Sequence, residues 1–136
     1  MRVNWLAILV SAIVFFLFGG LWYGVLFKAA WMQAVSIGMS TPPTAGGTYQ
    51  YIVAVIMAFF AAYGIARVFS WRGNVDVGRG AFIGLSLGLL IYGSMTWMTY
   101  AFEMRGPALG WIDIGYVAIG MGIMGAIIAA WKPKAA

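Results

Sequence analysis

Long apolar stretches alternate with short polar ones along this chain. Four stretches, residues 5–27, 51–69, 81–102 and 114–131, are long enough to cross a bilayer as helices, and each carries at most an edge charge. A helix rises about 1.5 Å per residue, so about 20 apolar residues span a hydrocarbon core of roughly 30 Å. The pattern therefore predicts an all-α fold, an up-down bundle of four transmembrane helices in a single integral-membrane domain over residues 1–136.

The composition agrees with lipid as the solvent. Hydrophobic residues make up 64% of the chain and charged residues 8%, against about 25% charged residues in soluble domains. Cysteine and histidine are both absent, which excludes disulfides, thiolate ligands and imidazole chemistry. We therefore predict neither a metal site nor a cofactor.

The basic residues are distributed unevenly between the two ends of the predicted helices. Only Lys28 and Arg105 lie at one end. The other end holds Arg2, Arg67, Arg72, Arg79, Lys132 and Lys134. Because cytoplasmic loops carry an excess of Lys and Arg, we expect both termini to be cytoplasmic and the chain to lie in the cell inner (plasma) membrane. The net charge of +5 then indicates contact with membrane lipids, and no nucleic-acid partner is predicted.

Two features at the first helix and loop predict local structure. Asn4 is the expected N-cap of the first helix. The loop at about residues 28–50 is the longest, and its beginning, with Trp31 and Val35, is expected to form a short helix in the membrane interface. Residues 40–47 (STPPTAGG) are expected to break regular structure.

Small residues recur every four positions on three of the helices. Such faces let membrane helices approach closely, so the pattern predicts a tight bundle. Packing within one chain is the favoured explanation, ahead of a dimerisation surface. The candidate packing residues are Ala58, Ala62, Gly84, Gly88, Gly122 and Ala126.

Four charged residues should meet at the outer end of the bundle, opposite the basic one. Lys28 is expected to end the first helix, Glu103 and Arg105 to end the third, and Asp113 to open the fourth, where the helix dipole favours a carboxylate. The third helix also carries a polar stripe, which must face protein or a cavity because polar groups in lipid need partners. Its members are Tyr92, Thr96, Thr99 and Glu103. The aromatic residues of the same layer are Trp22, Tyr23, Trp31, Tyr100, Phe102, Trp111 and Tyr116.

This outer layer has two interpretations. In the first, which we favour because ion pairs at membrane edges are common, the charges pair and fix the helix ends. In the second, the layer forms an outward-facing pocket for a lipid or another amphipathic molecule. The candidate ligand- or partner-binding residues are Trp22, Tyr23, Lys28, Trp31, Tyr92, Thr96, Thr99, Glu103, Arg105, Trp111, Asp113 and Tyr116.

The residues give little support for ion-coupled transport, multidrug export or hydrolase chemistry. Ion-coupled transport normally needs an ionisable residue within the membrane, and both Glu103 and Asp113 are expected to be interfacial. Exporters of the small multidrug resistance type need a carboxylate in the first helix, which this chain lacks. No serine or threonine has a histidine base.

Residues over nearly the whole chain, in order and spacing, match a known pattern. The first half has residues 4–10 (NWLAILV), 20–24 (GLWYG) and 27–28 (FK), and the second half has 102–103 (FE), 111–116 (WIDIGY) and 124–127 (MGAI). The chain thereby resembles an uncharacterised four-helix bacterial membrane family, domain of unknown function 1761. The resemblance implies four helices and no assigned activity. Family members often carry His after the Gly-Tyr pair and Asn in place of Asp113, whereas this chain has Val117 and Asp113.

Three functions follow as hypotheses. The first, which we favour, is a non-enzymatic membrane protein that forms a homo-oligomer or serves as an accessory, structural subunit of a larger membrane complex. The second is a binder or carrier of a lipid or other lipophilic molecule in the outer pocket. The third is an enzyme acting on lipid-linked substrates with Glu103 or Asp113 as base, which is the weakest because catalytic groups are few.

Overall fold

A computed structural model of the chain describes residues 3–37 and 47–132. Four helices in it are long and apolar enough to cross a membrane: span 1 (Trp5–Leu26), span 2 (Thr48–Arg72), span 3 (Val77–Phe102) and span 4 (Pro107–Ala130). The described part of the chain is otherwise a short helix, Lys28–Val35, and connecting turns. These four helices confirm the predicted all-α fold and are consistent with a bundle of four membrane-spanning segments.

Spans 2 and 4 are longer than predicted, because helix continues past the polar residues at their ends. Span 4 begins at Pro107, not at residue 114, because Pro107 is well suited to the first position of a helix and the apolar sequence continues from there. Span 2 also extends beyond residues 51–69, from Thr48 to Arg72. Residues 38–46, which include most of the predicted loop breaker, lie outside the described part of the chain.

The start of span 1 and the end of span 4 meet at one end of the bundle. Asn4 caps span 1 as predicted, since its side-chain oxygen accepts hydrogen bonds from the backbone N–H groups of Leu6 and Ala7, both at 3.1 Å. The Asn4 side-chain amide also donates to the carbonyl oxygen of Trp131, at 3.2 Å. The start of span 1 is thereby tied to the end of span 4, as an up-down bundle requires.

Two of the spans contain a π-helical segment, which the sequence did not predict. Trp22–Leu26 ends span 1 and Leu87–Tyr92 lies in the middle of span 3. In the first, the backbone N–H of Phe27 donates to the carbonyl of Trp22, five residues earlier, at 2.8 Å. A π segment adds a residue to a helical turn and so changes the direction of the side chains around it. In span 1 the segment contains two aromatic residues of the outer layer, Trp22 and Tyr23.

Span 4 is the centre of the bundle, because it packs against all three other spans, whereas span 3 packs mainly on span 4. The contact between spans 3 and 4 depends on glycine. A Cβ atom at Gly84 would meet the Met121 carbonyl oxygen, and one at Gly88 would lie 2.7 Å from the Cα of Ala118. Close approach of backbones is the usual means by which membrane helices pack.

The remaining candidate packing residues are placed as follows. Ala58 and Ala62 on span 2 are buried in the bundle. Gly122 lies against span 3, near Leu85. Ala126 is only half-buried, and it is Gly125 and Ala129 that meet Gly80 of span 3 instead.

The core consists of two buried clusters, one at each end of the bundle. The larger joins spans 1, 2 and 4 and includes Ile8, Ala62, Ile65, Phe69, Met124 and Ile128. In the smaller, Ala34 of the short helix packs against Leu109 and Ile112 at the start of span 4. The short helix predicted after span 1 therefore exists, and it is anchored to protein through Ala34.

Candidate functional site

Asp113 is the centre of a polar network inside the bundle. It is the seventh residue of span 4, almost two turns from the helix start, and it is 9% exposed. One carboxylate oxygen accepts a hydrogen bond from the hydroxyl of Tyr23, at 2.6 Å, and the other accepts one from the hydroxyl of Tyr100, at 2.5 Å. Because the two tyrosines belong to spans 1 and 3, three spans meet at one carboxylate.

This position corrects the expectation that Asp113 opens the fourth helix. The helix starts earlier, so the helix dipole is not what stabilises the carboxylate. Burial of an unpaired carboxylate is costly, and two phenol hydroxyls supply the partners instead. Hydrogen bonds from a hydroxyl to a carboxylate are short and about twice as strong as neutral ones.

Two further hydrogen bonds join spans 1 and 4 beside the carboxylate. The indole N–H of Trp22 donates to the carbonyl oxygen of Ile112, at 3.0 Å. The hydroxyl of Tyr116 donates to the carbonyl oxygen of Phe15, at 2.9 Å. The ring of Tyr23 lies edge-on to the ring of Tyr116, with 5.1 Å between their centroids. These bonds place the aromatic residues of span 1 against span 4 rather than toward lipid.

The other predicted charges do not join Asp113. Glu103 accepts a hydrogen bond from the guanidinium Nε of Arg105, at 2.8 Å, in an ion pair between near neighbours on the surface. The Arg105 guanidinium also lies 6.0 Å from the centre of the Tyr100 ring. Lys28 does not end the first helix but begins the short one, where it is exposed. Of the four charged residues, Glu103 and Arg105 therefore pair locally, Asp113 is bound by tyrosines and Lys28 is exposed.

The polar stripe of span 3 does not share one environment, so it does not face protein along its whole length. Thr99 is exposed, and its hydroxyl donates to the carbonyl oxygen of Met95 in its own helix, at 3.0 Å. A threonine that bonds back to its helix needs no neighbouring span as partner. Thr96 is half-buried, while Tyr92 is 38% exposed.

Four further aromatic residues belong to the layer and differ in their surroundings, with Phe102 87% exposed at the end of span 3. Trp31 of the short helix packs edge-on to Tyr23, with 5.6 Å between ring centroids. Trp111, 67% exposed, instead pairs with Trp97 of span 3, with 5.1 Å between their rings. Tyr100, predicted to lie in the aromatic layer but not predicted as a candidate site residue, is a direct partner of Asp113.

The chemistry of this network is that of a well-satisfied structural junction. Both oxygens of Asp113 are occupied by hydroxyl donors, and the aromatic rings around Tyr23 contact each other. Among residues 3–37 and 47–132, no group of three or more His, Cys, Asp or Glu side chains could hold a metal ion. The arrangement is suited to holding three spans in a fixed relation.

These features define a small, multi-span α-helical membrane protein whose spans are joined by a buried, tyrosine-bound carboxylate. The chain belongs to the family described as "Protein of unknown function (DUF1761)", whose model matches residues 6–129. The resemblance found in the sequence is thereby confirmed. No curated protein and no solved structure matches the chain significantly.

Proposed function

We propose that this protein is a non-enzymatic membrane component that acts by association, either as a homo-oligomer or as an accessory, structural subunit of a larger membrane complex. The use of its polar groups supports this function. Asp113 is engaged by Tyr23 and Tyr100, and Glu103 by Arg105. Side chains that could otherwise serve in a reaction thus contribute to the protein's own structure.

The outward face of span 3 is the observation that carries the proposal. Span 3 packs mainly on span 4, so most of its surface points away from the bundle. Large apolar side chains on it are exposed: Phe82, Leu85, Leu89, Leu90, Ile91, Met95 and Met98. Ser86 and Ser94 lie among them, each bonded to a carbonyl of its own helix. Small polar residues of this kind are enriched where membrane helices contact one another.

The proposed orientation places both termini in the cytoplasm of a cell with the protein in its inner (plasma) membrane. The described basic residues Arg67, Arg72, Arg79 and Lys132 belong to the end of the bundle where Asn4 bonds to Trp131, here called the basic end. Among the described residues, the basic side chains of the opposite end are Lys28 and Arg105, and the positive-inside rule assigns that end to the exterior.

The second candidate function is the binding of a lipid or another lipophilic molecule near Asp113. The gathering of Trp22, Tyr23, Trp31 and Tyr116 around one carboxylate favours it. In the described structure these rings pack on each other, so a ligand would have to separate them. An enzyme with Glu103 or Asp113 as base ranks third, since both carboxylates already have close hydrogen-bond donors.

Cysteine cross-linking in native membranes tests the association, because the chain has no cysteine of its own. One exposed position on each span is changed to Cys: Leu17, Phe60, Leu90 and Ile119. We expect Leu90→Cys to give a cross-linked species of two chains, or of this chain with a partner, and the other three positions to serve as matched controls.

Native mass spectrometry from membrane-derived nanodiscs identifies the species. A mass of several chains, alike or different, supports association. A monomer mass together with no cross-link at any of the four positions would contradict it. A single chain that carries a defined small adduct, lost in Asp113→Asn and kept in Glu103→Gln, would favour the second candidate function instead.

A further inference from the structure

A cavity of about 300 Å³ opens at the basic end of the bundle. It lies where span 1 begins, where spans 2 and 4 end, and where the turn between spans 2 and 3 crosses the bundle. Its size is at the lower limit of ordinary ligand pockets. None of the residues assigned above to the Asp113 network lines it.

The lining divides into an apolar floor and a polar rim. Phe69 and Ile128 belong to the floor, and both are part of the buried core. The rim includes Asn4, Ser70, Asn74 and Lys132. Hydrogen bonds fix this rim across the bundle, since the Lys132 ammonium donates to the side-chain oxygen of Asn74 at 2.6 Å and the Asn4 amide donates to the Trp131 carbonyl.

The described charged residues at this end of the bundle are mostly basic, and one of them, Lys132, lines the cavity. Of the chain's three acidic side chains, only Asp76 lies at this end. Asp76 pairs with Arg79 at 3.4 Å and accepts a hydrogen bond from the Arg79 backbone N–H, which lowers the pKa of the Asp76 carboxyl. Lys132 is exposed and is held by a neutral amide oxygen, so its charge is available to an anion.

Arg67 adds a second cation with a fixed position at the same end. Its guanidinium lies 5.5 Å from the centre of the Trp71 ring and 5.9 Å from that of Tyr63, and it donates to the Tyr63 hydroxyl at 3.2 Å. Tyr63 in turn stacks on Trp5, with 5.4 Å between ring centroids. Tryptophan and tyrosine in such positions are typical of the headgroup level of a membrane.

From this geometry we propose that the cavity at the basic end binds an anionic phospholipid, with the phosphate at the rim beside Lys132 and the glycerol and first acyl carbons against the apolar floor. A cavity with a cationic rim and an apolar floor at the level of the headgroups matches the two halves of such a lipid. Basic pockets between membrane helices recognise lipid phosphates in this way. The inference does not depend on the proposed association, because it concerns the other end of the bundle.

The test compares an anionic and a zwitterionic phospholipid that share their acyl chains and differ in the headgroup. Native mass spectrometry of the purified full chain measures retention of phosphatidylglycerol and of phosphatidylcholine with the same acyl chains. We expect one phosphatidylglycerol per chain to be retained in preference to phosphatidylcholine. Lys132→Gln should weaken phosphatidylglycerol binding about fivefold, as loss of one basic contact at a membrane surface does.

Arg79→Gln is the matched control, because it removes the same charge at the same end from a residue that does not line the cavity. It should leave binding unchanged. Ser70→Leu fills the cavity without a change of charge and should weaken binding as well. A melting curve for each variant separates loss of the site from loss of the fold.

Three results would overturn the proposal. Equal weakening by Lys132→Gln and Arg79→Gln would mean general attraction of anions to a basic surface. Equal retention of both lipids would mean apolar contact alone. Displacement of phosphatidylglycerol by millimolar inorganic phosphate would assign the site to the free anion instead of the lipid.

Discussion

Each oxygen of the Asp113 carboxylate accepts a hydrogen bond from one tyrosine hydroxyl, that of Tyr23 or that of Tyr100. An asparagine at this position is uncharged and has one oxygen and one N–H₂ group, so one tyrosine hydroxyl keeps an acceptor and the other must turn to accept from the N–H₂ group. Hydrogen bonds to a charged group contribute about 1.5–3 kcal/mol each, against about 0.5–1.5 kcal/mol for neutral ones. We therefore expect Asp113→Asn to lower the free energy of unfolding by about 1–3 kcal/mol, measured by equilibrium unfolding in detergent.

Glu103→Gln is the control for the loss of one negative charge. Its ion pair with Arg105 is on the surface, and such pairs contribute about 0–1 kcal/mol. A destabilisation by Glu103→Gln as large as that by Asp113→Asn would contradict a special role for the buried carboxylate.

The bond between Tyr100 and Asp113 can be isolated with a double-mutant cycle. Tyr100→Phe should cost about 1–3 kcal/mol in the wild-type chain, because a hydrogen bond to a charged group is lost. In an Asp113→Ala background the same change should cost far less, since the acceptor is already absent. Tyr49→Phe, at a residue 75% exposed, serves as the neutral control. Equal costs of Tyr100→Phe in both backgrounds would show that the hydroxyl does not act through Asp113.

Met104, at the end of span 3, has a backbone conformation that suits glycine better than methionine. Its φ angle is +57°, in the left-handed region that glycine adopts more readily than other residues. Two hydrogen bonds there, from the Arg105 N–H to the Tyr100 carbonyl and from the Met104 N–H to the Ala101 carbonyl, form the Schellman motif. The Met104 side chain is 85% exposed, so its removal loses little packing.

Met104→Gly should accordingly stabilise the protein by about 1 kcal/mol, the penalty for a left-handed residue with a Cβ atom. Met98→Gly, at an exposed position inside span 3, should destabilise it by about 1 kcal/mol through the low helix propensity of glycine. Thermal unfolding of the two variants side by side gives the comparison. A lower melting temperature for Met104→Gly would mean that the turn does not limit stability.

At the scale of the elements, glycines in two spans have opposite surroundings and so make a matched pair. A Cβ at Gly84 would meet the Met121 backbone, whereas a Cβ at Gly64 on span 2 would meet nothing within 4 Å. We expect Gly84→Ala to force spans 3 and 4 apart at a cost of about 1–3 kcal/mol. Gly64→Ala should instead stabilise the protein by about 0.5–1 kcal/mol, because alanine has the higher helix propensity. Unfolding midpoints that coincide for the two variants would contradict the close helix contact.

The elements also show what can be predicted from the sequence and why. Hydropathy locates all four spans because lipid requires about 20 apolar residues in a row. It misplaces the start of span 4, because a charged residue in the sequence is read as the end of an apolar segment. The partners that allow Asp113 to lie inside a helix are Tyr23 and Tyr100, which belong to other spans and are not evident from the sequence. Hydropathy does not reveal the π-helical segments, although one of them contains Trp22 and Tyr23 of the outer layer.

At the scale of the whole molecule, the two ends of the bundle are built differently. One end is held by the Asp113 network and by the short helix packed on span 4 through Ala34. The basic end is joined by the bonds of Asn4 and Lys132 and encloses the cavity between them. The basic residues are concentrated at one of these two ends. The orientation of the protein in its membrane therefore decides which leaflet the basic end meets.

The excess of basic residues predicts that the end with the chain termini faces the cytoplasm, and cysteine labelling in intact cells measures this directly. The chain contains no cysteine, so single substitutions report without background. Glu103→Cys, at the exposed surface of the opposite end, should react with a membrane-impermeant maleimide in intact cells. Asp76→Cys, at the exposed turn of the basic end, should react only after permeabilisation. The reverse pattern would place the basic end outside, and with it the anionic-lipid cavity in the outer leaflet; labelling of both residues in intact cells would contradict the membrane-spanning arrangement itself.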